Sequence, residues 1–547
     1  MKTFSPKLFS ELKNYNSKKL LSDVVAGIIV AIIALPLSIA LAIASGVSPE
    51  QGLYTAIVAG FVIAFLGGSK VNISGPTAAF ATIVAGIVAA YGTGGLVVAT
   101  IMAGIILILM GVLRLGVLIK YIPYTITTGF TAGIAVTIVI GQIKDFMGLT
   151  FPEGAHAVET MEKLSCVANS IATVNWQAVL VGVIAILILI LWPKVSKKIP
   201  GSLIAVVAGV IIVKVFNLKV NTIGDLYTIS RSLPAFSLPD VNFKMIGELI
   251  PSAFTIAILA AIESLLSCVV SDGMISDRHN SNTELIAQGA GNICSGLFGG
   301  IPATGAIART AANVKNGGKT PVAGIVHAIV LLLILVVLMP YAAWIPMPVI
   351  AAVLFIVAYN MSEWRQFVKI CKTAPKSDIA VLALTFVLTV VFDLVVAIEI
   401  GLLVAVIMFM KRMADVTHIR PWTEADEAAQ SDNGRLKEIP DKAQVFEING
   451  PMFFATSEIV SSIPVKTGTK VVILRMRNVP ALDVSALESL NKVYDFCSEK
   501  EIEVLFSHVN EQPLSVMKKS GFYDKAGQDK FMSNIDEALK KAKNICK

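Results

Sequence analysis

Apolar runs of membrane-spanning length recur along the first four hundred residues, and that recurrence decides the fold class. A helix needs roughly 20 consecutive apolar residues to cross the hydrocarbon of a bilayer. Such runs fall at 24–44, 53–68, 75–90, 96–113, 124–143, 178–192, 202–216, 250–271, 285–299, 303–314, 321–339, 346–359, 378–392 and 395–410, about fourteen segments in all. The segments at 75–90 and 303–314 are too short to span on their own. Charged residues make up 15% of the chain, against roughly a quarter in an ordinary soluble domain. The shortfall lies in residues 24–410, whereas 411–547 have a normal soluble mix. One helical membrane domain followed by one small soluble domain is the expectation.

Lys and Arg in short loops set the orientation. Lys2, Lys7, Lys13, Lys18 and Lys19 precede the first span. Alternate loops are basic: Arg114 and Lys120; Lys194, Lys197 and Lys198; Lys315 and Lys319; Arg365, Lys369, Lys372 and Lys376; Lys411 and Arg412. The opposite loops Ser45–Gly52, Tyr91–Gly95 and Tyr341–Pro346 carry neither residue. Both termini are therefore expected in the cytosol. The polar N-terminal stretch does not read as a cleavable signal peptide. The net charge of +7 is spread over these loops and does not indicate nucleic-acid binding. The six cysteines have neither zinc-site nor disulfide-framework spacing.

Beyond Arg412, Val445–Ile448, Lys470–Leu474 and Glu503–Ser507 read as strands. Ser485–Cys497, Pro513–Ser520 and Asn534–Lys543 read as helices. Their alternation predicts a small α/β domain. Residues 421–440, rich in Glu, Asp and Gln, read as the approach to it.

The most informative chemistry is a pair of Gly/Pro-marked openings, Ser74-Gly75-Pro76-Thr77-Ala78-Ala79 and Gly300-Ile301-Pro302-Ala303-Thr304-Gly305-Ala306. They occupy corresponding places in the two halves of the membrane domain. Such paired, interrupted segments mark the binding sites of transporters. Proline suits the first position of a helix. The free N–H groups there carry about half a positive charge. Two such ends facing each other would hold an anion. Kinks or close-packing contacts are the plainer reading of each segment alone.

Arg309 is placed five residues into the second short helix, where a guanidinium is costly and usually functional. Glu263 lies centrally in a span, and Ser267 follows one turn later on the same face. The carboxylate is expected to bind a proton, help bind a cation, or neutralise Arg309. Asp272, Asp277, Arg278, His279, Asn280 and Glu284 read as a polar cytosolic loop, either solvated or forming a gate-side network. Asp393 and Glu399 read as fixing the hairpin of the last two spans. His327, alone in an apolar run, reads as a packing residue. No catalytic triad, carboxylate pair, phosphate loop or metal motif is present in the sequence, so neither an enzyme nor a cofactor is expected.

Gly52-Leu53-Tyr54-Thr55, Ser74–Phe80, Ile262-Glu263-Ser264-Leu265-Leu266 and Ala308-Arg309-Thr310-Ala311-Ala312-Asn313 resemble the sulfate permease (SulP) anion transporters. Val445–Met452 and Leu482-Asp483-Val484-Ser485-Ala486 resemble the STAS domain (sulfate transporter and anti-sigma factor antagonist) that follows in that family. The resemblance implies a polytopic all-α membrane domain of about fourteen spans in a 7+7 inverted repeat with two half-helices, plus a cytosolic α/β STAS domain. It divides the chain into a cytosolic segment 1–20, a transport domain 21–415, a linker 416–440 and a STAS domain 441–547. Carried over, the substrate site is Gly75, Pro76, Thr77, Ala303, Thr304, Ala306, Ala308 and Arg309, with Glu263 and Ser267 as the ion-coupling pair. Some relatives have hydroxyl side chains where Ala306 and Ala308 stand. Sodium-coupled bicarbonate relatives have Asp and Thr at the Glu263 and Ser267 positions, which favours protons over sodium here. In anti-sigma antagonists a serine near Ser485 is phosphorylated; here Ser485 is expected instead to cap the helix that follows, with a regulatory role as the alternative.

Within the family, Gln142–Leu149, Val269–Met274 and Asn360–Glu363 resemble the carriers of C4-dicarboxylates. The implied function is proton-coupled uptake of succinate, fumarate or aspartate across the inner membrane, by a homodimer. Sulfate or bicarbonate transport and a passive anion channel are the alternatives, and a membrane-anchored STAS scaffold is a third.

Overall fold

The computed structural model describes residues 4–13, 15–117, 123–152, 159–196, 199–229, 232–239, 243–392, 394–422 and 439–547. Lys2, Lys120, Lys197, Lys198, Asp393 and residues 423–438 of the expected linker lie outside them. The chain divides into two compact units, 1–403 and 404–547.

The first unit is helical. It begins with α1 (Lys7–Leu12), α2 (Ser17–Ala44), α3 (Pro49–Leu66), α4 (Ala81–Val112), α5 (Tyr124–Met147), α6 (Thr160–Asn169), α7 (Trp176–Val195), α8 (Gly201–Val215) and α9 (Ile223–Leu226). It continues with α10 (Phe243–Ile275), α11 (Ser281–Leu297), α12 (Ile307–Lys315), α13 (Val322–Ala342), α14 (Met347–Ser362), α15 (Trp364–Thr373) and α16 (Lys376–Val391). The helix α17 (Leu394–Asp415) crosses the division between the units. Every apolar run expected from the sequence overlaps one of these helices, though 75–90 and 303–314 begin in extended chain.

Local chemistry sets the helix ends. Asn16 caps α2 by accepting from Lys19 N, and Ser48 with Gln51 forms a capping box at α3, where Pro49 takes the first position. α4 breaks at Gly92, whose φ of 67° suits a residue without Cβ. The break leaves a short segment ahead of it and explains why two apolar runs share one helix.

Two bundles are evident from the packing. Helices α2, α3, α4, α10, α11, α12 and α13 interlock, and α5, α7, α8, α14 and α16 form the other group. Small residues permit the closest crossing, as expected where lipid supplies no hydrophobic drive between helices. A Cβ on Gly104 of α4 would lie 2.6 Å from the carbonyl oxygen of Gly289 in α11. The reverse substitution would bring a Cβ within 2.5 Å of the Gly104 oxygen. Near the helix ends, Lys70 lies 2.8 Å from Glu11 and 3.1 Å from Asp277, and Lys7 lies 3.4 Å from Asp277. The hydrogen bond that Lys70 donates to Glu11 is the main cause of its raised pKa.

The second unit is a five-stranded sheet in the order β3-β4-β5-β6-β7, formed by His418–Pro421, Ala443–Asn449, Val471–Asn478, Glu503–Ser507 and Phe531–Met532. β3 is antiparallel to β4; the other pairings are parallel. Apolar clusters cover both faces, as parallel strands require. Helices Val484–Glu499, Glu511–Lys519 and Ile535–Cys546 match the three read from the sequence. Edge strand β3 lies within the stretch expected to be linker. Ser485 is not the cap of its helix. Asp483 holds that place with extended backbone, and its Oδ1 accepts from Ala486 N at 2.8 Å. Its other oxygen accepts from Phe454 N at 2.9 Å, so the carboxylate satisfies donors on two segments at once. Ser485 is exposed in the first helical turn.

Candidate functional site

The two Gly/Pro openings meet. Ser74–Gly75 forms strand β1 and Thr304–Gly305 forms strand β2; they pair antiparallel, Ser74 opposite Gly305 and Gly75 opposite Thr304. Ala306 N extends the ladder to Ile73 O at 2.9 Å. The prolines do not open the helices. Pro76 lies in the extended chain between β1 and the 3-10 turn Ala78–Phe80, and Pro302 precedes β2. A missing N–H costs nothing on the free side of a two-stranded ladder.

Beyond the strands, the chain turns into the 3-10 turn and α4 on one side and into α12 on the other. Ile307, Ala308 and Arg309 are the first three residues of α12, so their N–H groups have no intrahelical acceptor. Ile307 and Ala308 are exposed. Arg309 is thus in the first turn, earlier in its helix than the sequence suggests. It is 3% exposed, and its Nη2 donates across the pair to the carbonyl oxygen of Pro76. A Cβ at Gly75 would run into Nη1 of the same guanidinium. Glycine at 75 therefore makes room for the arginine of the other half.

On α10, half-buried Glu263 accepts from half-buried Thr77 Oγ1 at 2.9 Å. Thr77, Glu263 and Ala308 face the open side, while Arg309 closes the buried side. Thr304 is turned away from it. Its hydroxyl donates to Ala260 O at 2.9 Å and lies 2.8 Å from Ser264 Oγ. Ser264 Oγ also accepts from Gly305 N at 2.9 Å. Ala303 N donates to Asn292 Oδ1 at 2.8 Å. The N–H groups of Ala303 and Ala306 are thus committed to the scaffold, contrary to their expected role as free donors. Ser267 is fully buried behind the site, within 2.8 Å of Asn72 Oδ1 and 3.0 Å of Thr310 Oγ1. It does not share an exposed face with Glu263.

Several supporting residues were missed in the sequence. Glu284, expected in a polar cytosolic loop, is fully buried in the first turn of α11. Its carboxylate accepts from Gly68 N at 2.9 Å, Ser69 N at 3.2 Å, Asn72 Nδ2 at 2.8 Å and Gln288 Nε2 at 3.1 Å. Gln288 Nε2 also donates to Ser74 Oγ at 2.9 Å. Glu284, Gln288 and Asn292 form a buried i, i+4, i+8 polar stripe on α11, a spacing that was present in the sequence. They tie β1 and β2 to α11. Among the described residues, no group of three His, Cys, Asp or Glu could hold a metal.

The description "Sulfate permease family" matches residues 20–385, and "STAS domain" matches 435–538. YvdB of Bacillus subtilis (strain 168), which carries the name of a sulfate transporter, is 39% identical over 96% of this chain and 98% of its own. The bicarbonate transporter BicA of Picosynechococcus sp. is 31% identical over 95% of this chain and 94% of its own. The solved structure of SLC26A9 superposes with a TM-score of 0.85 at 18% identity, covering 98% of this chain and 92% of that one. The likeness to dicarboxylate carriers read at Gln142–Leu149, Val269–Met274 and Asn360–Glu363 finds no support among these relatives. Relatives aligned over nearly the whole chain are named for sulfate and bicarbonate.

Proposed function

The chain belongs to the sulfate permease family, and from that premise we propose that it carries a small inorganic oxyanion, sulfate or bicarbonate, by secondary active transport. The observation that carries the reading is Arg309, a buried cation held by the backbone of one half-helix entry while lying in the first turn of the other. In this reading the backbone N–H groups of Ile307 and Ala308, the Thr77 hydroxyl and the field of Arg309 act together on the oxyanion. No second positive side chain is needed for a single small anion. The basic alternate loops support a reading with both termini in the cytosol.

Glu263 supplies the coupling in this reading. While it is ionised, the Thr77 hydroxyl is spent on it, and its charge opposes that of the anion. Protonation removes the negative charge and lets the carboxyl donate instead, which frees the Thr77 hydrogen for the anion. Proton and anion then bind together. The neutral isostere Glu263→Gln is expected to keep anion exchange and to lose most of the stimulation by an inward proton gradient. Comparing exchange with pH-driven accumulation in liposomes checks this; an unaltered response to the gradient sinks proton coupling through Glu263.

Gly75→Ala pushes the guanidinium from its seat while leaving the strand pairing intact. Its expected effect is a KM raised about tenfold, equivalent to roughly 1.4 kcal/mol, with the protein still extractable and monodisperse. An unchanged KM places the anion away from Gly75.

The test of the whole reading is uptake by purified full-length protein in liposomes under an inward proton gradient. Labelled sulfate and labelled bicarbonate are offered separately, each challenged by excess succinate. Saturable uptake of either that succinate leaves intact is the expected result. Non-saturable flux indicates a passive channel, and suppression by succinate returns the dicarboxylates.

A further inference from the structure

Behind β1, two buried side chains present polar atoms without protein partners among the described residues. One is Nη1 of Arg309; the other is His327, whose Nδ1 and Nε2 both lack a partner. Arg309 is 3% exposed and His327 fully buried. Unpaired buried polar atoms are rare, since each costs roughly 1–3 kcal/mol. Three on two neighbouring side chains call for a common cause.

The small residues of α3 show where these atoms point. A Cβ at Gly75 that meets Nη1 of Arg309 also lies 3.5 Å from Ala56 Cα. A Cβ at Gly60 would lie 3.9 Å from His327 Nδ1 and 3.2 Å from the Ser74 carbonyl oxygen. Ala56 and Gly60 are one helical turn apart, so the arginine and the histidine open onto one face of α3. His327 is close enough to Arg309 to experience its charge. Gln288, bonded to Ser74 Oγ through Nε2, has an unpartnered Oε1. A buried site with two to four polar partners is one that water occupies.

We propose that His327 is a positioning residue of the anion site, joined to Arg309 through a buried water between α3, β1 and α13. The imidazole offers a donor on one nitrogen and an acceptor on the other. Nη1 donates to the water, and the water donates to His327. With Nη2 held on Pro76, the guanidinium is fixed at two corners, so its charge stays aimed at the half-helix ends. The packing role expected from the apolar run around His327 explains neither unpaired nitrogen.

The inference rests on Arg309 being part of the anion site, and its test separates the two. His327→Leu fills the volume without polar atoms, whereas His327→Gln retains a donor and an acceptor. The uptake assay with full-length protein is read as KM and kcat for labelled sulfate, or for labelled bicarbonate if that is the anion carried. His327→Leu is expected to raise KM about tenfold, the loss of one modest hydrogen bond, with kcat little changed. His327→Gln is expected to restore most of the affinity. A second measurement does not depend on transport: melting temperatures in detergent for His327→Leu, Arg309→Met and the double variant. Non-additive shifts are expected, because the two side chains share a partner. Additive shifts overturn the link between them, whatever Arg309 does in transport. Coupled shifts with an unchanged KM keep the link and remove Arg309 from the anion site. A His327→Gln variant as impaired as His327→Leu overturns the polar role of the imidazole.

Discussion

Arg309→Ala is expected to abolish accumulation of the transported anion while the protein still inserts and purifies. The guanidinium lies in the first turn of α12, bonded to the entry of the other half, and it is buried there. A unit charge about 4 Å from an anion contributes roughly 4 kcal/mol at an effective dielectric near 20, or about a thousandfold in affinity. Arg309→Lys is expected to recover little. An ammonium is a compact point charge and lacks the planar fork that lets one nitrogen rest on Pro76 while another faces α3. Uptake in liposomes, normalised to incorporated protein, is the measurement. Accumulation at the normal rate by Arg309→Ala removes the residue from the site and takes the proposed binding geometry with it.

The largest structural effect is expected at Glu284. Its carboxylate satisfies two backbone N–H groups and two side-chain amides, all in the buried region behind β1. Glu284→Ala strands these donors. At roughly 1–3 kcal/mol for each unsatisfied group, the loss is on the order of several kcal/mol, a large share of any protein's stability. The variant is expected to aggregate or to melt far below the parent in detergent. Glu284→Gln keeps one acceptor but turns an amide against the remaining donors, and an intermediate melting temperature is expected. An Glu284→Ala protein that melts with the parent shows that water or other groups replace the carboxylate without cost.

These two residues also mark how far the sequence could be read. Spans, half-helices and the α/β domain followed from run length, loop charge and alternation, because burial in lipid or in a sheet leaves a periodic trace. Gly75, Pro76 and Arg309 stood out because glycine, proline and an intramembrane arginine each break a local rule. Thr304, Ala303 and Ala306 stood in the same motif, but their backbone groups face inward, and no local signal distinguishes a committed N–H from a free one. The strand pair β1–β2 was invisible, since two residues give no alternation and the partner lies 230 positions away in the chain. Glu284 was read as a loop residue because it begins its helix next to charged neighbours. Only the stripe it forms with Gln288 and Asn292 places it inside. Ser485 was read as the cap because serine favours that position; Asp483 took it by satisfying Phe454 as well as Ala486.

The pairing of β1 with β2 has a mechanical consequence. Its few N–H and C=O groups are buried in a helical bundle, where bulk water is not at hand to replace a broken bond. Pulling the two halves apart at this seam would strand each group at a cost of several kcal/mol. In the transport proposed above, this joint therefore stays closed, and the cargo is handed across the membrane by motion elsewhere than at the seam.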